Sequence, residues 1–212
     1  MVLQVRDGEL RALLWQRARE PAARAWALPG GRVADDETLE ASIRRHLAAK
    51  VDVREVSHLE QLGTYSDPGR VPGGREIATA YLGLVPLEAD PQVPDDTSWH
   101  PVAALPRTAF DHGAIVDAAV ERLRGKLSYS NAGFALAPPT FTIAELRAVY
   151  VAALGHDVSA TNLKRVLERR GAITPTGERR APGRAGGRPA EVYRFREHTL
   201  AITDPFAALR PR

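Results

Sequence analysis

The chain of 212 residues contains no cysteine. That excludes a disulfide framework, thiolate metal sites and cysteine catalysis together. Lysine is nearly absent too: Lys50, Lys126 and Lys164 are the whole complement, so the basic character rests on arginine. Arginine excess also follows from GC-rich coding, so a single arginine is weak evidence of a ligand contact. No apolar run approaches the ~18 residues a membrane helix needs, and the N-terminus lacks a signal-peptide core, so a cytoplasmic location and no membrane partner are expected. The six histidines show no zinc-like spacing, and no bound metal is expected. What is present is ordinary for a globular chain, with 44% hydrophobic and 26% charged residues.

The net charge of +3 hides a division. Residues 1–137 carry 16 Lys+Arg against 19 Asp+Glu, a balance of −3, while residues 138–212 carry 13 against 7, a balance of +6. A basic tail behind an acidic front points to a nucleic-acid partner for the tail, the plain alternative being a solvated basic face. The junction is expected at Pro138-Pro139, giving domains 1–137 and 138–212. Ahead of it, residues 114–127 read as a joining helix, with Ile115, Val116, Ala119, Val120 and Leu123 at helical spacing. An irregular stretch, Ser128 to Gly133, is expected to follow.

The front half reads as α+β, an α/β/α sandwich. Val2 to Val5 and Leu10 to Gln16 are strand-like runs around Asp7-Gly8, a strong hairpin signal. Thr38 to Val51 has helical spacing, with acids early and cations late, as the helix dipole favours. Ala78 to Val85 reads as another strand, and Asp111 as the side-chain cap of the joining helix. In the tail, Thr142 and Glu145 make a capping box for a helix through about Leu154, closed by Gly155. Ser159 or Asp157 then caps a second helix, Ala160 to Arg170, ended by Gly171. Two strand-like runs, 172–174 and 191–195, are joined by an Arg/Gly/Pro loop. Helix, turn, helix and basic ribbon describe a winged helix-turn-helix.

The segment from Trp26 to Val53 carries a specific pattern. Gly31, five residues, Glu37, seven residues, Arg45, then Leu47 and Val53 at aliphatic positions resemble the Nudix box. The approach Leu28-Pro29-Gly30-Gly31 matches its loop. The resemblance implies a pocket for a nucleoside diphosphate, in which hydrolases of the family hold magnesium on glutamates. Here His46, Ala49 and Lys50 stand in the glutamate positions, and Asp52 replaces the late glycine. Spacing of i, i+3 and i+4 puts the three on one helix face. An imidazole, a methyl group and an ammonium are not the hard oxygen ligands magnesium needs. No catalytic residue is therefore expected. Lys50 either places a fixed positive charge where a pyrophosphate would lie, or points to solvent while the loop survives as scaffold. Expected ligand contacts are Arg17, Arg19, Trp26, Glu37, Arg45, Lys50 and Arg75, with the role of His112 left open.

On the second tail helix, Thr161, Asn162 and Arg165 are expected to point away from the apolar stripe of Leu163, Val166 and Leu167. They stand near the helix N-terminus, where recognition helices meet base edges. Lys164 and Arg169 share the helix, and the loop adds Arg179, Arg180, Arg184 and Arg188, suited to phosphates or a minor groove.

The combination resembles the NrtR family, Nudix-related transcriptional regulators. Further matching segments are Phe110-Asp111-His112, RLRGKLSYSNAGFAL from Arg122 to Leu136, FTIAEL from Phe141 to Leu146, Val149-Tyr150, Gly187 to Ala190 and Tyr193-Arg194-Phe195. Nudix domains usually carry more chain before the position of Val2, so Met1 reads as a late start and the first strand is expected to be short. The resemblance implies a homodimer on palindromic operator DNA, repressing genes of NAD synthesis or salvage. It also implies a response to ADP-ribose or a related nucleotide, with no cofactor. Some members govern sugar-use operons instead. A weak magnesium-dependent ADP-ribose or nucleoside-diphosphate hydrolase with a basic accessory domain is the enzymatic alternative, supported by Glu37 and Glu40. A nonspecific RNA-binding or scaffold protein is the third.

Overall fold

The computed structural model describes residues 1–181 and 188–204. Strands β1 (Val2–Arg6) and β2 (Glu9–Gln16) form the expected hairpin. Its two turn residues, Asp7 and Gly8, both take positive φ (51° and 78°), as a tight two-residue turn requires. β3 (Trp26–Ala27), β4 (His58–Tyr65), β5 (Ala78–Leu84) and β6 (Thr97–Pro101) complete a six-stranded sheet. Its order is β3-β2-β1-β5-β4, with β6 also paired to β2. β1 and β5 run parallel and the remaining pairs antiparallel.

Because side chains alternate along a strand, neighbours in β1 and β2 serve opposite faces. Val2 and Leu13 pack with Leu47, Val51, Val53 and Val85 beneath helix α1 (Leu39–Val51). Leu3, Val5, Leu10 and Ala12 pack on the other face against Ile115, Val116, Ala119 and Leu123 of helix α2 (His112–Tyr129). A sheet buried on both faces explains why β1 and β2 read as nearly unbroken apolar runs. Thr38 caps α1 through its side chain, accepting from Ala41 N, and Asp52 ends the helix at φ 52°. That left-handed backbone is what the glycine of the box would supply, and aspartate tolerates it better than most residues.

The second core cluster does not stop at Pro138. It continues without a break through Phe134, Leu136, Phe141, Leu146, Tyr150, Leu163, Leu167, Tyr193 and Phe195. These belong to the joining segment and to β7 (Phe141–Thr142), α3 (Ile143–Leu154), α4 (Ala160–Arg169) and β9 (Ala190–Phe195), with β8 (Ile173–Arg180) adding Ile173. The strand order β7-β9-β8 and the two helices make the expected winged helix. Both halves of the Thr142–Glu145 capping box are formed, and Gly155 takes φ 76° at the end of α3.

Several expectations are corrected. Ser128 and Tyr129 finish α2, and Ala132–Ala135 form a short 3-10 turn, so the stretch is ordered. Residues 130–138 are buried throughout. Asn131 ties them to the C-terminal segment, donating to Thr199 O and accepting from Ala201 N. The joining segment is thus part of the core and no loose linker. Asp111 occupies the cap position of α2 but makes no side-chain cap; its carboxylate is taken by Arg70. Ser159 caps α4, while Asp157 holds Arg147. Arg179 and Arg180 lie in β8 and not in the loop.

Candidate functional site

Between the 28–33 loop, one face of α1 and residues 76–81 lies a cleft of about 990 Å³. Of the expected ligand contacts it brings together Arg17, Arg19 and Lys50, and it adds Arg32, His46, Arg70 and His112. Among the described residues, Glu76 is the one carboxylate on its lining. Arg17 donates Nε to Pro21 O and lays its guanidinium 4.8 Å from the Phe110 ring centre; its terminal nitrogens make no hydrogen bond among the described residues. Arg19 is exposed.

The face of α1 that carries His46 and Lys50 holds the 28–33 loop. Lys50 Nζ donates to Gly30 O at 2.6 Å and sits 5.1 Å from the Trp15 ring centre, so it does not simply point to solvent. Burial first, then Arg45 and Arg17, pull its pKa below the usual lysine value. His46 Nε2 lies 3.0 Å from Arg32 O, which makes that nitrogen the donor, and Arg45 Nη2 also donates to Arg32 O. Ala49 is exposed and outside the lining. Only His46 and Lys50 of the three therefore converge.

Glu37 and Arg45 pair with each other outside the cleft lining. The Arg45 hydrogen bond, with help from Ala34 N, holds the Glu37 carboxyl down at about 2. Trp26 stands 4.3 Å from the His100 ring and lines a neighbouring hollow of about 1070 Å³. Arg75 is exposed and lines neither. Among the described residues, no group of three or more His, Cys, Asp or Glu is placed to hold a metal ion.

Gly31 makes the packing of the box possible, because a Cβ there would come within 2.6 Å of His46 Nε2. Gly31→Ala is expected to cost about 1–3 kcal/mol by overpacking. The cost should shrink in a His46→Ala background, read as non-additivity in urea unfolding.

Arg70 and His112 line the cleft toward α2, and Asp111 holds Arg70 from behind. Arg70 spans both Asp111 oxygens at 2.8 and 2.9 Å. His112 Nδ1 accepts from Leu28 N at 2.9 Å, fixing a neutral ring with its proton on Nε2. Burial drives its pKa down to about 4. Sequence reasoning misses Arg70: it stands 41 positions from its partner in a Gly/Pro-rich loop, with no local pattern.

On the tail, Leu163 and Leu167 anchor α4, leaving Thr161, Asn162, Arg165 and Arg169 exposed. Arg165 Nη2 donates to Asn162 Oδ1 at 2.7 Å, so the two candidate base readers are tied together in the free protein. Lys164 turns toward Glu168 and the Tyr193 ring, 5.5 Å from its centre. Arg179 and Arg188 are exposed, while Arg180 is engaged by Glu145. Arg184 lies outside the described residues. Arg194, within the matching Tyr193-Arg194-Phe195 segment of β9, and Arg196, not singled out from sequence, are also exposed.

Comparisons with known proteins follow the same division. The Nudix domain model matches residues 1–119, and the NrtR DNA-binding winged helix domain model matches residues 133–195. The ADPR responsive transcriptional repressor NtrR of Acinetobacter baylyi is 31% identical over 201 residues, covering 92% of this chain and 79% of that protein. The crystal structure of Shewanella oneidensis NrtR complexed with a 27mer DNA superposes with a TM-score of 0.80 at 34% identity, covering 92% of this chain and 90% of that one. The Nudix domain of the same protein, complexed with ADP ribose, matches with a TM-score of 0.52 at 34% identity, over 57% of this chain and 83% of that one. With a Nudix half, a winged-helix half and this similarity across nearly its whole length, the chain belongs to the NrtR family of Nudix-related transcriptional regulators.

Proposed function

We propose that this protein is a cytoplasmic transcriptional repressor of NAD synthesis or salvage genes, binding a palindromic operator as a homodimer. ADP-ribose or a related nucleotide in the Nudix cleft governs that binding. Residues 1–137 serve ligand binding and dimerisation, and residues 138–212 bind DNA. The observation that carries this reading is the joint core. A basic winged helix is packed continuously onto a Nudix fold whose helix face presents His46 and Lys50 to the cleft. Glu37 and Glu40, on which the hydrolase alternative rests, are engaged by Arg45 and Arg44 outside the cleft lining, which supports a sensor over an enzyme. A ligand alters repression only through unequal affinity for DNA-competent and incompetent forms. The α2 helix, in contact with both halves, is the element positioned to transmit that difference.

Fluorescence anisotropy with duplexes from upstream of neighbouring NAD genes tests this at near-physiological salt. A specific complex that ADP-ribose weakens is expected. Equal, salt-steep binding to a scrambled duplex would reduce the tail to a nonspecific basic face, and magnesium-dependent release of AMP would reinstate the hydrolase. Within the complex, Arg165→Ala should lose about 1–3 kcal/mol of discrimination at one base pair. Arg179→Ala and Arg188→Ala should weaken all duplexes alike. An unchanged specificity ratio for Arg165→Ala would show that α4 lies in another register.

A further inference from the structure

The divalent cation of Nudix hydrolases does not fit this cleft. A small hard cation needs several oxygen ligands in near-octahedral array. The carbonyl oxygens that meet the α1 face, Gly30 O and Arg32 O, already accept from cationic or imidazole donors: Lys50 on the first, His46 and Arg45 on the second. Among the described residues the lining carries Arg17, Arg19, Arg32, Lys50 and Arg70 against the single acid Glu76. Arg70 is neutralised by Asp111, but Arg17 and Lys50 have no carboxylate partner among the described residues. A cation entering here would meet fixed positive charge and oxygens already spoken for.

The same arrangement suits an anion. Lys50 has three N–H donors and commits one to Gly30 O. Its ammonium also lies 5.1 Å from the centre of the Trp15 ring, whose indole N–H donates to Leu28 O at 3.2 Å. The ammonium is thus pre-positioned, and little side-chain freedom remains to be lost on binding. Arg17 contributes free terminal nitrogens from just beyond the end of β2, stacked on Phe110. Charge-assisted hydrogen bonds from two such groups neutralise a doubly charged pyrophosphate without a metal.

We propose that this chain binds its diphosphate ligand as the metal-free anion, with the Lys50 ammonium standing in for the divalent cation and Arg17 completing the charge. Magnesium then competes for the ligand in solution and contributes nothing inside the cleft. This rests on the nucleotide-sensing reading above.

Calorimetric titration of the full chain with ADP-ribose, in EDTA and again in excess magnesium chloride, is the test. Binding in EDTA that magnesium leaves unchanged or weakens is the expected result. Binding that requires magnesium would overturn the metal-free site while leaving nucleotide sensing intact. No binding in either buffer would sink the nucleotide reading, and this proposal with it. Lys50→Met keeps an unbranched side chain of similar length and removes the charge. Its affinity should fall roughly tenfold to a hundredfold in both buffers, as for loss of a charged hydrogen bond. Wild-type affinity in a folded Lys50→Met protein would overturn the role of Lys50. Should that variant not fold, the two wild-type titrations still decide the matter.

Discussion

Asp111→Ala is expected to destabilise the protein by about 3–5 kcal/mol, the cost of leaving a buried charge without its partner. The Arg70 side chain is 4% exposed and Asp111 24%, and the carboxylate meets the guanidinium through two parallel hydrogen bonds. Removing Asp111 strands the guanidinium between the cleft and the first turn of α2. The position also lies at the helix N-terminus, where Asp111 makes no cap hydrogen bond, so the lower preference of Ala for that position is the competing cause. Asn caps a helix about as well as Asp, yet it carries no charge to offer Arg70. Asp111→Asn should therefore recover little of the loss in urea unfolding. Full recovery would show that capping, not the ion pair, fixes this corner. Replacing both partners by apolar residues of similar volume should restore most of the stability, because the desolvation of two charges disappears with their attraction.

Acid should loosen the same corner from the other side. His112 titrates near 4 in the folded protein against 6.5 in the open chain. The unfolded chain therefore binds a proton that the folded one refuses at intermediate pH. Its contribution is fully present above about pH 6.5 and is lost as pH falls toward 4. Over that interval it amounts to about 3 kcal/mol. His112→Asn keeps an acceptor for Leu28 N and cannot charge. Unfolding free energies measured at pH 7 and pH 4.5 should show a steeper acid loss in the wild type than in this variant. Parallel losses would mean that His112 stays accessible to protons. The two changes act on adjacent residues at the start of α2, one binding the 70 region and the other the 28 loop, so their effects should not be additive. Both join the cleft to the helix that leads into the winged domain.

The parts of this protein that are legible in its sequence are the local ones. The Asp7-Gly8 hairpin, the Thr142–Glu145 capping box, the Gly155 stop and the periodic stripes of α1, α2 and α4 depend on residues within a few positions of one another. Their physics is complete in the sequence. The identities of His46, Ala49 and Lys50 are likewise plain in the sequence: three residues without a carboxylate, spaced to share one face of α1. Strands β4 (HLEQLGTY) and β6 (TSWHP) are not legible in this way, because they are half-buried and mixed in polarity, without clean alternation. Pairing with β5 and β2, not propensity, makes them strands.

What only the tertiary structure decided is who meets whom. Glu37 and Arg45 turned to each other and left the cleft, although both stand in the box. Lys50 turned inward to Gly30 O, where the spacing had left solvent open as the alternative. Asp111 chose Arg70, 41 residues away, over the helix end beside it. The proline pair that reads as a boundary is crossed by one continuous apolar core. Such choices follow from the competition among partners for a buried donor or acceptor, and sequence alone does not state which partners share a space. The sequence by itself determined the family and the lack of a carboxylate at positions 46, 49 and 50; the folded chain decided which charges stand unpaired beside the cleft.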